Sequence, residues 1–370
     1  MSTDRLPRRG LARRLLATRL ADHLTAPHGV DRFLEQIDPM LTVHQVRGIV
    51  SEVVHETGAA STVVLAPNDA WTGFRPGQHV QFGVEVEGKR RIRCFSVSSS
   101  TARADGRFSV TVKAHDDGYV SQYLHRQMTP GTRVYLSEAE GEFVLPEVVP
   151  DDLLLLSGGS GITPVMSMLR SLRDVGHDRP VTFLHYARTP DDEIFRGELD
   201  EIAATCPWAT VRRVYTREPG RGDLQGRFTA AHLEALGLEP ATTPTWACGP
   251  AGLIETVRKV YAEAGAEQML AVEYFKVPSV DLDAADATGT LSLDLSGRDV
   301  PNDGRTILEQ AEEAGLTPEF GCRRGICHTC TVRKKHGAVR NVLSGEVRAD
   351  TDEDIRICVN KPVGDVCVSL

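Results

Sequence analysis

Five of the eight cysteines fall within the last 50 residues, and four of them are spaced as Cys322-x4-Cys327-x2-Cys330 with 27 further residues before Cys358. A 2Fe–2S cluster needs four thiolates in two pairs. A Cys-x4-Cys-x2-Cys loop with a distant fourth cysteine is the plant-type way of supplying them. Gly321 and Gly325 let backbone amides approach the sulfurs and offset the cluster's negative charge. A four-cysteine zinc site competes with this assignment, as do free thiols. Structural zinc sites pair their ligands as two short knuckles, however, and here the second knuckle has one member. Cys94, Cys206, Cys248 and Cys367 are scattered, as buried small hydrophobes usually are.

Two further groups carry chemistry. Arg93-Cys94-Phe95-Ser96 closes a β-like run, and Gly118-Tyr119-Val120-Ser121 follows about twenty residues later. A flavin dinucleotide needs an arginine for its pyrophosphate, a flat ring against the isoalloxazine and a hydroxyl near N5, and one extended stretch can present these. Gly118 permits a tight turn, so that amides at Val120 and Ser121 open a helix toward phosphate. Taken alone, an arginine in a strand such as Arg93 is more often a solvated edge residue. The second group is Gly158-Gly159-Ser160-Gly161-Ile162-Thr163-Pro164, which joins an apolar run to a helical pattern and suits a dinucleotide pyrophosphate. A purely structural turn is the alternative. Cys248-Gly249-Pro250 falls where a strand of an open α/β sheet ends, the edge at which ligands bind, although Cys248 also reads as a small core residue. Thr216-Arg217 follows another strand. An arginine fork there, assisted by Arg188 and Arg221, suits a 2′-phosphate and so NADPH over NADH, with a solvated arginine as the alternative.

The elements needed to position these groups are legible. Residues 1–42 read as a basic helical extension, with Leu16, Leu20 and Leu24 one turn apart. Residues 43–147 carry short alternating runs (Arg47–Val54, Ser61–Leu65, Arg107–Val112, Thr132–Leu136), which predict an antiparallel β-barrel or sandwich. Residues 148–275 alternate strand and helix, and the unbroken Leu153–Leu156 run predicts a parallel sheet covered on both faces. Residues 276–287 read as a linker. In 288–370, Leu291, Leu293 and Leu295 alternate as a strand, and a Thr306-x-x-Glu309 capping box opens a helix that stops at Gly315. A chain of 370 residues exceeds one core, so three domains are expected. The net charge of −9 argues against a nucleic-acid partner. No apolar run approaches the ~20 residues of a membrane span. Arg13, Arg14 and Arg19 interrupt any signal-like segment, so a cytoplasmic protein with reduced or metal-bound cysteines is expected.

Together, Arg93–Ser96, Gly118–Ser121, the intact Gly-x-Gly-x-Thr-Pro turn, Cys248–Pro250 and the four cysteines resemble the ferredoxin–NADP reductase superfamily, from about Val43 to the C-terminus. Pro76-Gly77-Gln78 matches that family's strand-opening turn. Phe95 departs from the family's usual Tyr, keeping the stacking ring but losing the hydroxyl contact to the ribityl chain. The resemblance implies a flavin-binding β-barrel, an α/β nicotinamide domain and a β-grasp ferredoxin domain. It implies FAD rather than FMN, with Ser96 and Cys248 at the reacting rings and Phe275 of Glu273-Tyr274-Phe275 approaching the flavin. It also implies electron flow from NADPH through FAD and the 2Fe–2S cluster to an oxygen-activating enzyme. Asp38-Pro39-Met40-Leu41, Glu273-Tyr274-Phe275-Lys276 and Pro362-Val363-Gly364-Asp365-Val366 look most like actinobacterial partners of a membrane di-iron stearoyl-CoA Δ9-desaturase. Reductases of steroid hydroxylases or ring-hydroxylating oxygenases using NADH are the second family reading. A non-catalytic redox-sensing or zinc-held protein is the reading from another class. The stretch 281–370 holds 16 Asp+Glu against 11 Lys+Arg, an acidic surface suited to docking a basic partner. The basic N-terminal stretch could rest on anionic lipid at the inner membrane face or pack on the flavin domain.

Overall fold

β-Branched and aromatic residues alternating with polar ones give six strands after a short leading helix. In this computed structural model, residue 25 and residues 28–86, 88–115, 118–275, 287–321, 323, 325 and 328–370 are described. The expected helix through Leu16, Leu20 and Leu24, the linker up to residue 286, and Cys322 and Cys327 lie outside them. The first elements are α1 (Gly29–Ile37), β1 (Val46–Thr57), β2 (Ala60–Pro67), β3 (His79–Val86), β4 (Lys89–Ser96), β5 (Phe108–Lys113), α2 (Tyr119–Arg126) and β6 (Arg133–Leu136). The strands form an antiparallel sheet in the order β4-β3-β6-β1-β2-β5. The two edges meet just past β4, where Ser98 N–H donates to Ser109 O at 2.8 Å and Val97 bridges Val110. The sheet thus closes as a barrel around Val63, Leu65, Val80, Phe82 and Val110, none exposed at all.

Helix α1 is clasped to this barrel by polar contacts. The Asp31 carboxylate accepts from Val43 and His44 N–H, and Arg47 donates to Pro39 O at 2.8 Å while pairing with Glu35. Asn68 Nδ2 donates to Thr42 Oγ1 at 2.7 Å.

Next come β7 (Leu153–Gly158), α3 (Ile162–Asp174), β8 (Val181–Ala187), α4 (Arg196–Thr205), β9 (Ala209–Tyr215), α5 (Ala230–Ala235), β10 (Thr245–Gly249), α6 (Ala251–Glu263) and β11 (Leu270–Tyr274). The chain divides into two compact units: one runs to Arg227 and includes Thr243–Trp246, the other holds Phe228–Thr242 and Ala247–Leu370. In the first, β7, β8 and β9 pair in parallel, and Leu154 N–H donates to Pro244 O where β10 begins. Within that unit the strands run in the order β7-β8-β9. Every residue of β7 is buried, as its unbroken apolar run predicts.

The C-terminal part holds β12 (Thr290–Leu293), β13 (Arg298–Pro301), α7 (Ile307–Glu313), β14 (Thr331–Asn341), β15 (Val347–Arg348), β16 (Glu353–Arg356) and β17 (Asn360–Val368). β12 pairs in parallel with β17, which pairs antiparallel with β14. The capping box forms as predicted, with Thr306 N–H donating to Glu309 Oε2 at 3.1 Å and Glu309 N–H to Thr306 Oγ1. The expected strand stops two residues early. Leu295 is 76% exposed because Gly297 N–H folds back to Asp294 O and opens the turn into β13. Among the described residues no helix is long and apolar enough to cross a membrane.

Leu155 sits fully buried at the centre of β7. Leu155→Ala should therefore destabilise the nicotinamide sheet by about 2–5 kcal/mol, read as a lower urea midpoint than wild type.

Candidate functional site

On β4, pairing with β3 sets Phe82 opposite Arg93, Val80 opposite Phe95 and His79 opposite Ser96. Arg93 and Phe95, two residues apart, share one face, and Cys94 and Ser96 take the other. Phe95 is half-buried and meets the Phe82 ring edge-on at 5.9 Å. Arg93 is also half-buried and donates to Ile92 O at 2.8 Å. Ser96 is 3% exposed, and its hydroxyl has no hydrogen-bond partner among the described residues. A buried hydroxyl left unpaired is costly, so Ser96 is suited to a polar ligand atom such as a flavin ring nitrogen.

Gly118 precedes α2 because Ser121 lies over it. The Ser121 hydroxyl donates to Gly118 O at 2.8 Å, and any side chain at Gly118 would collide with that hydroxyl. Val120 anchors the helix in the barrel core while Tyr119 is exposed. No side chain caps α2, which leaves its first turn able to receive a phosphate. The flavin-binding residues expected from the sequence on β4 and α2 thus fit a flavin dinucleotide.

The turn between β7 and α3 is built in the same spirit. Gly159 is left-handed at φ 54°, and the space where its side chain would stand is open. Thr163 Oγ1 donates to Ser160 O at 3.1 Å, Pro164 lies in the helix's first turn, and Gly161 is its uncapped N-cap. Below, Ser157 Oγ and His185 Nδ1 are 2.8 Å apart and fully enclosed. Burial pushes His185 down to about 3, so a neutral ring supports the turn. Sequence reasoning missed this pair; its one signal was a histidine inside an otherwise apolar strand.

Beyond the ends of β8 and β9 the two chains stay zipped. Thr216 N–H donates to Ala187 O and Arg217 N–H to Arg188 O, both at 2.9 Å. Arg188 and Arg217 therefore stand side by side, exposed, and among the described residues neither makes an ion pair. Arg221 is different: its guanidinium pairs with Glu218 at 2.9 Å, so it does not join them. In the second unit, Cys248 is fully buried near the end of β10, Gly249 closes that strand, Pro250 caps α6, and Phe275 is half-buried after β11.

For the metal site, Cys330 and Cys358 are both buried in one apolar cluster with Ile355, Ile357 and Val359. The β14–β16 pairing extends to Ile357 N–H donating to Cys330 O at 3.2 Å, which brings these two cysteines to neighbouring positions. Among the described residues just ahead of Cys330, Arg323, Gly325 and His328 each take a left-handed backbone. Gly325 is required twice over, by φ 75° and because a Cβ there would come within 2.7 Å of Val359. The Arg356 guanidinium holds the Gly325 carbonyl.

Comparison with known proteins bears on these sites. Residues 50–145 match the family described as "Oxidoreductase FAD-binding domain", 155–259 "Oxidoreductase NAD-binding domain" and 293–363 "2Fe-2S iron-sulfur cluster binding domain". An NADPH oxidoreductase of Mycobacterium tuberculosis is 35% identical over 95% of this chain and 91% of its own. The chain belongs to the ferredoxin–NADP reductase superfamily. It is an NAD(P)H-dependent oxidoreductase with FAD, nicotinamide and 2Fe–2S domains, which removes the zinc and free-thiol readings. A ferredoxin reductase component of 3-ketosteroid-9-alpha-monooxygenase from Mycolicibacterium smegmatis is 32% identical over 89% of this chain and 97% of its own. Phthalate dioxygenase reductase shares the fold, with a TM-score of 0.59 over 91% of this chain and 99% of that one at 20% identity.

Two outcomes are expected. Arg217→Ala should raise KM for NADPH about tenfold and leave KM for NADH unchanged in steady-state assays, as loss of one charged hydrogen bond to a phosphate predicts. Gly325→Ala should lower iron and acid-labile sulfide per chain while the flavin content stays at the wild-type level.

Proposed function

We propose that this chain is the NADPH-specific reductase of an oxygen-activating partner, organised as a flavin domain over 43–147, a nicotinamide domain over 148–275 and a ferredoxin domain over 288–370. The observation that carries this is a hydride-accepting module and a one-electron carrier on one chain, the latter with Cys330 and Cys358 buried in one apolar cluster. When bound, FAD supplies the exchange between hydride and single electrons, and the cluster supplies single-electron transfer. The residues hold and orient. Arg93 and the first turn of α2 bind the FAD pyrophosphate, and Ser96 offers its unpaired hydroxyl to the ring. Gly159, Gly161, Thr163 and Pro164 shape the turn for the NADPH pyrophosphate. Arg188 and Arg217 grip its 2′-phosphate, with Thr216 between them and the strand. Cys248, followed by Gly249 and Pro250, borders the nicotinamide, and Phe275 the flavin. Cys322, Cys327, Cys330 and Cys358 ligate iron.

For the acceptor, the proposal is a membrane di-iron acyl-CoA desaturase of the stearoyl-CoA Δ9 type, met at the inner face of the membrane. Its support is the sequence resemblance at Asp38–Leu41, Glu273–Lys276 and Pro362–Val366. The acidic C-terminal domain suits a basic docking surface. A second reading, the NADH-using reductase of a steroid hydroxylase or ring-hydroxylating oxygenase, is favoured by the activities of other relatives. These include glycine betaine monooxygenase reductase subunits at 28–29% identity and the 3-ketosteroid-9-alpha-monooxygenase component.

The test is a coupled assay of the purified brown-yellow protein with NADPH, run in parallel with desaturase-bearing membranes and with a soluble steroid hydroxylase. Unsaturated acyl product that declines as salt rises is the expected result. Hydroxylated steroid alone would transfer the assignment to the second reading. Failure of NADPH to generate a reduced-cluster paramagnetic signal would remove both.

A further inference from the structure

Helix α3 bears three polar side chains, Ser167, Arg170 and Ser171, spaced so that they share one face. All three reach the same short segment of the flavin domain. Ser167 Oγ donates to Ser99 O at 2.7 Å, Arg170 donates to Ser98 O at 2.6 Å, and Ser171 Oγ accepts from Thr101 N–H at 3.2 Å. That segment begins two residues after Ser96, and α3 begins directly at the dinucleotide turn. One rigid helix therefore links the two segments assigned to the two reacting rings. Most of these groups are enclosed: Ser98 and Ser167 are fully buried, and Ser99 and Ser171 are 3% and 5% exposed, while Thr101 lies at the exposed end.

Each end of the linkage is itself fixed. The Arg170 Nε donates to both oxygens of Glu198, at 3.0 and 3.1 Å, a terminal nitrogen adds a further contact to the same carboxylate, and the guanidinium lies over the Phe195 ring at 4.3 Å. Phe195 takes a left-handed backbone, φ 63°, at the start of α4. On the flavin side the Ser98 hydroxyl meets Thr111 Oγ1 at 2.9 Å, Thr111 meets Thr62 at 2.8 Å, and Thr62 donates to Glu56 at 2.5 Å. Gly77 closes the same junction: a side chain there would collide with the Phe143 carbonyl and the Met168 side chain on α3.

We propose that Arg170, supported by Ser167 and Ser171, is a positioning residue that sets how closely the nicotinamide approaches the flavin. The proposal rests on the FAD and NADPH assignments above. Hydride transfer is steep in distance, and a displacement of about 1 Å far from the chemistry can cost on the order of 100-fold in rate. A bidentate guanidinium between a carboxylate and a backbone carbonyl resists such slippage in a way a lysine does not.

The test uses the full chain with its cofactors and compares wild type, Arg170→Ala, Arg170→Lys and the milder Ser167→Ala. Four quantities are measured: the limiting rate of flavin bleaching at saturating NADPH, the visible circular dichroism of bound FAD, the affinities for FAD and NADP+, and Tm. Expected for Arg170→Ala is a limiting rate lower by about tenfold to 100-fold with an altered flavin dichroism and unchanged FAD and NADP+ affinities. Added guanidinium should restore part of the rate, Arg170→Lys should recover only a fraction, and Ser167→Ala should show a smaller loss of the same kind. Wild-type rates in both Arg170→Ala and Ser167→Ala would overturn the proposal. A parallel fall of rate, FAD affinity and Tm in Ser167→Ala would equally overturn it, by reducing the contact to a structural fastening. Absence of NADPH-driven bleaching in wild type would instead fail the underlying functional reading.

Discussion

Hydride moves only between rings in contact, so a chain that binds its two redox partners on separate lobes must fix those lobes against each other. In this protein the restraint is a buried polar seam along α3, where hydroxyls and a guanidinium satisfy main-chain groups at Ser98, Ser99 and Thr101. Such contacts add only about 1 kcal/mol each to stability, but an orphaned buried carbonyl costs about 1–3 kcal/mol, so sliding is penalised in every direction. An apolar seam of equal area would hold the lobes together without fixing their register. Direction is what hydrogen bonds add.

The ferredoxin domain meets a different demand, that of placing negative charge in a small core. Cys330 and Cys358 arrive on paired segments inside the apolar cluster, and Arg323, Gly325 and His328 ahead of them each take a left-handed backbone. Arg356 contributes by holding the Gly325 carbonyl.

What the sequence disclosed and what it withheld divide along physical lines. Features carried by local pattern were legible: the buried run of β7, the capping box at Thr306, the cysteine spacing, and the Gly-rich turn into α3. Features made by pairing across long separations were not. Nothing in Ser167 or Ser171 distinguishes them from solvated helix residues until the fold brings Ser99 and Thr101 against them. Arg221 looked like a second phosphate ligand, but Glu218 lies within its reach and takes it. Leu295 kept the strand's alternation, yet the backbone turns at Gly297 regardless.

The clasp around α1 bears on how the flavin lobe is best delimited. Asp31 holds the amides at Val43 and His44, and Glu35 and Pro39 hold Arg47, so the stretch from Gly29 onward is a strap closing one side of the barrel. A fragment cut at Val43, where alternation begins, would strip Arg47 of its Glu35 carboxylate and Asn68 of the Thr42 hydroxyl it donates to. The minimal flavin-binding piece accordingly starts ahead of Gly29, a limit set by carboxylates rather than by any strand.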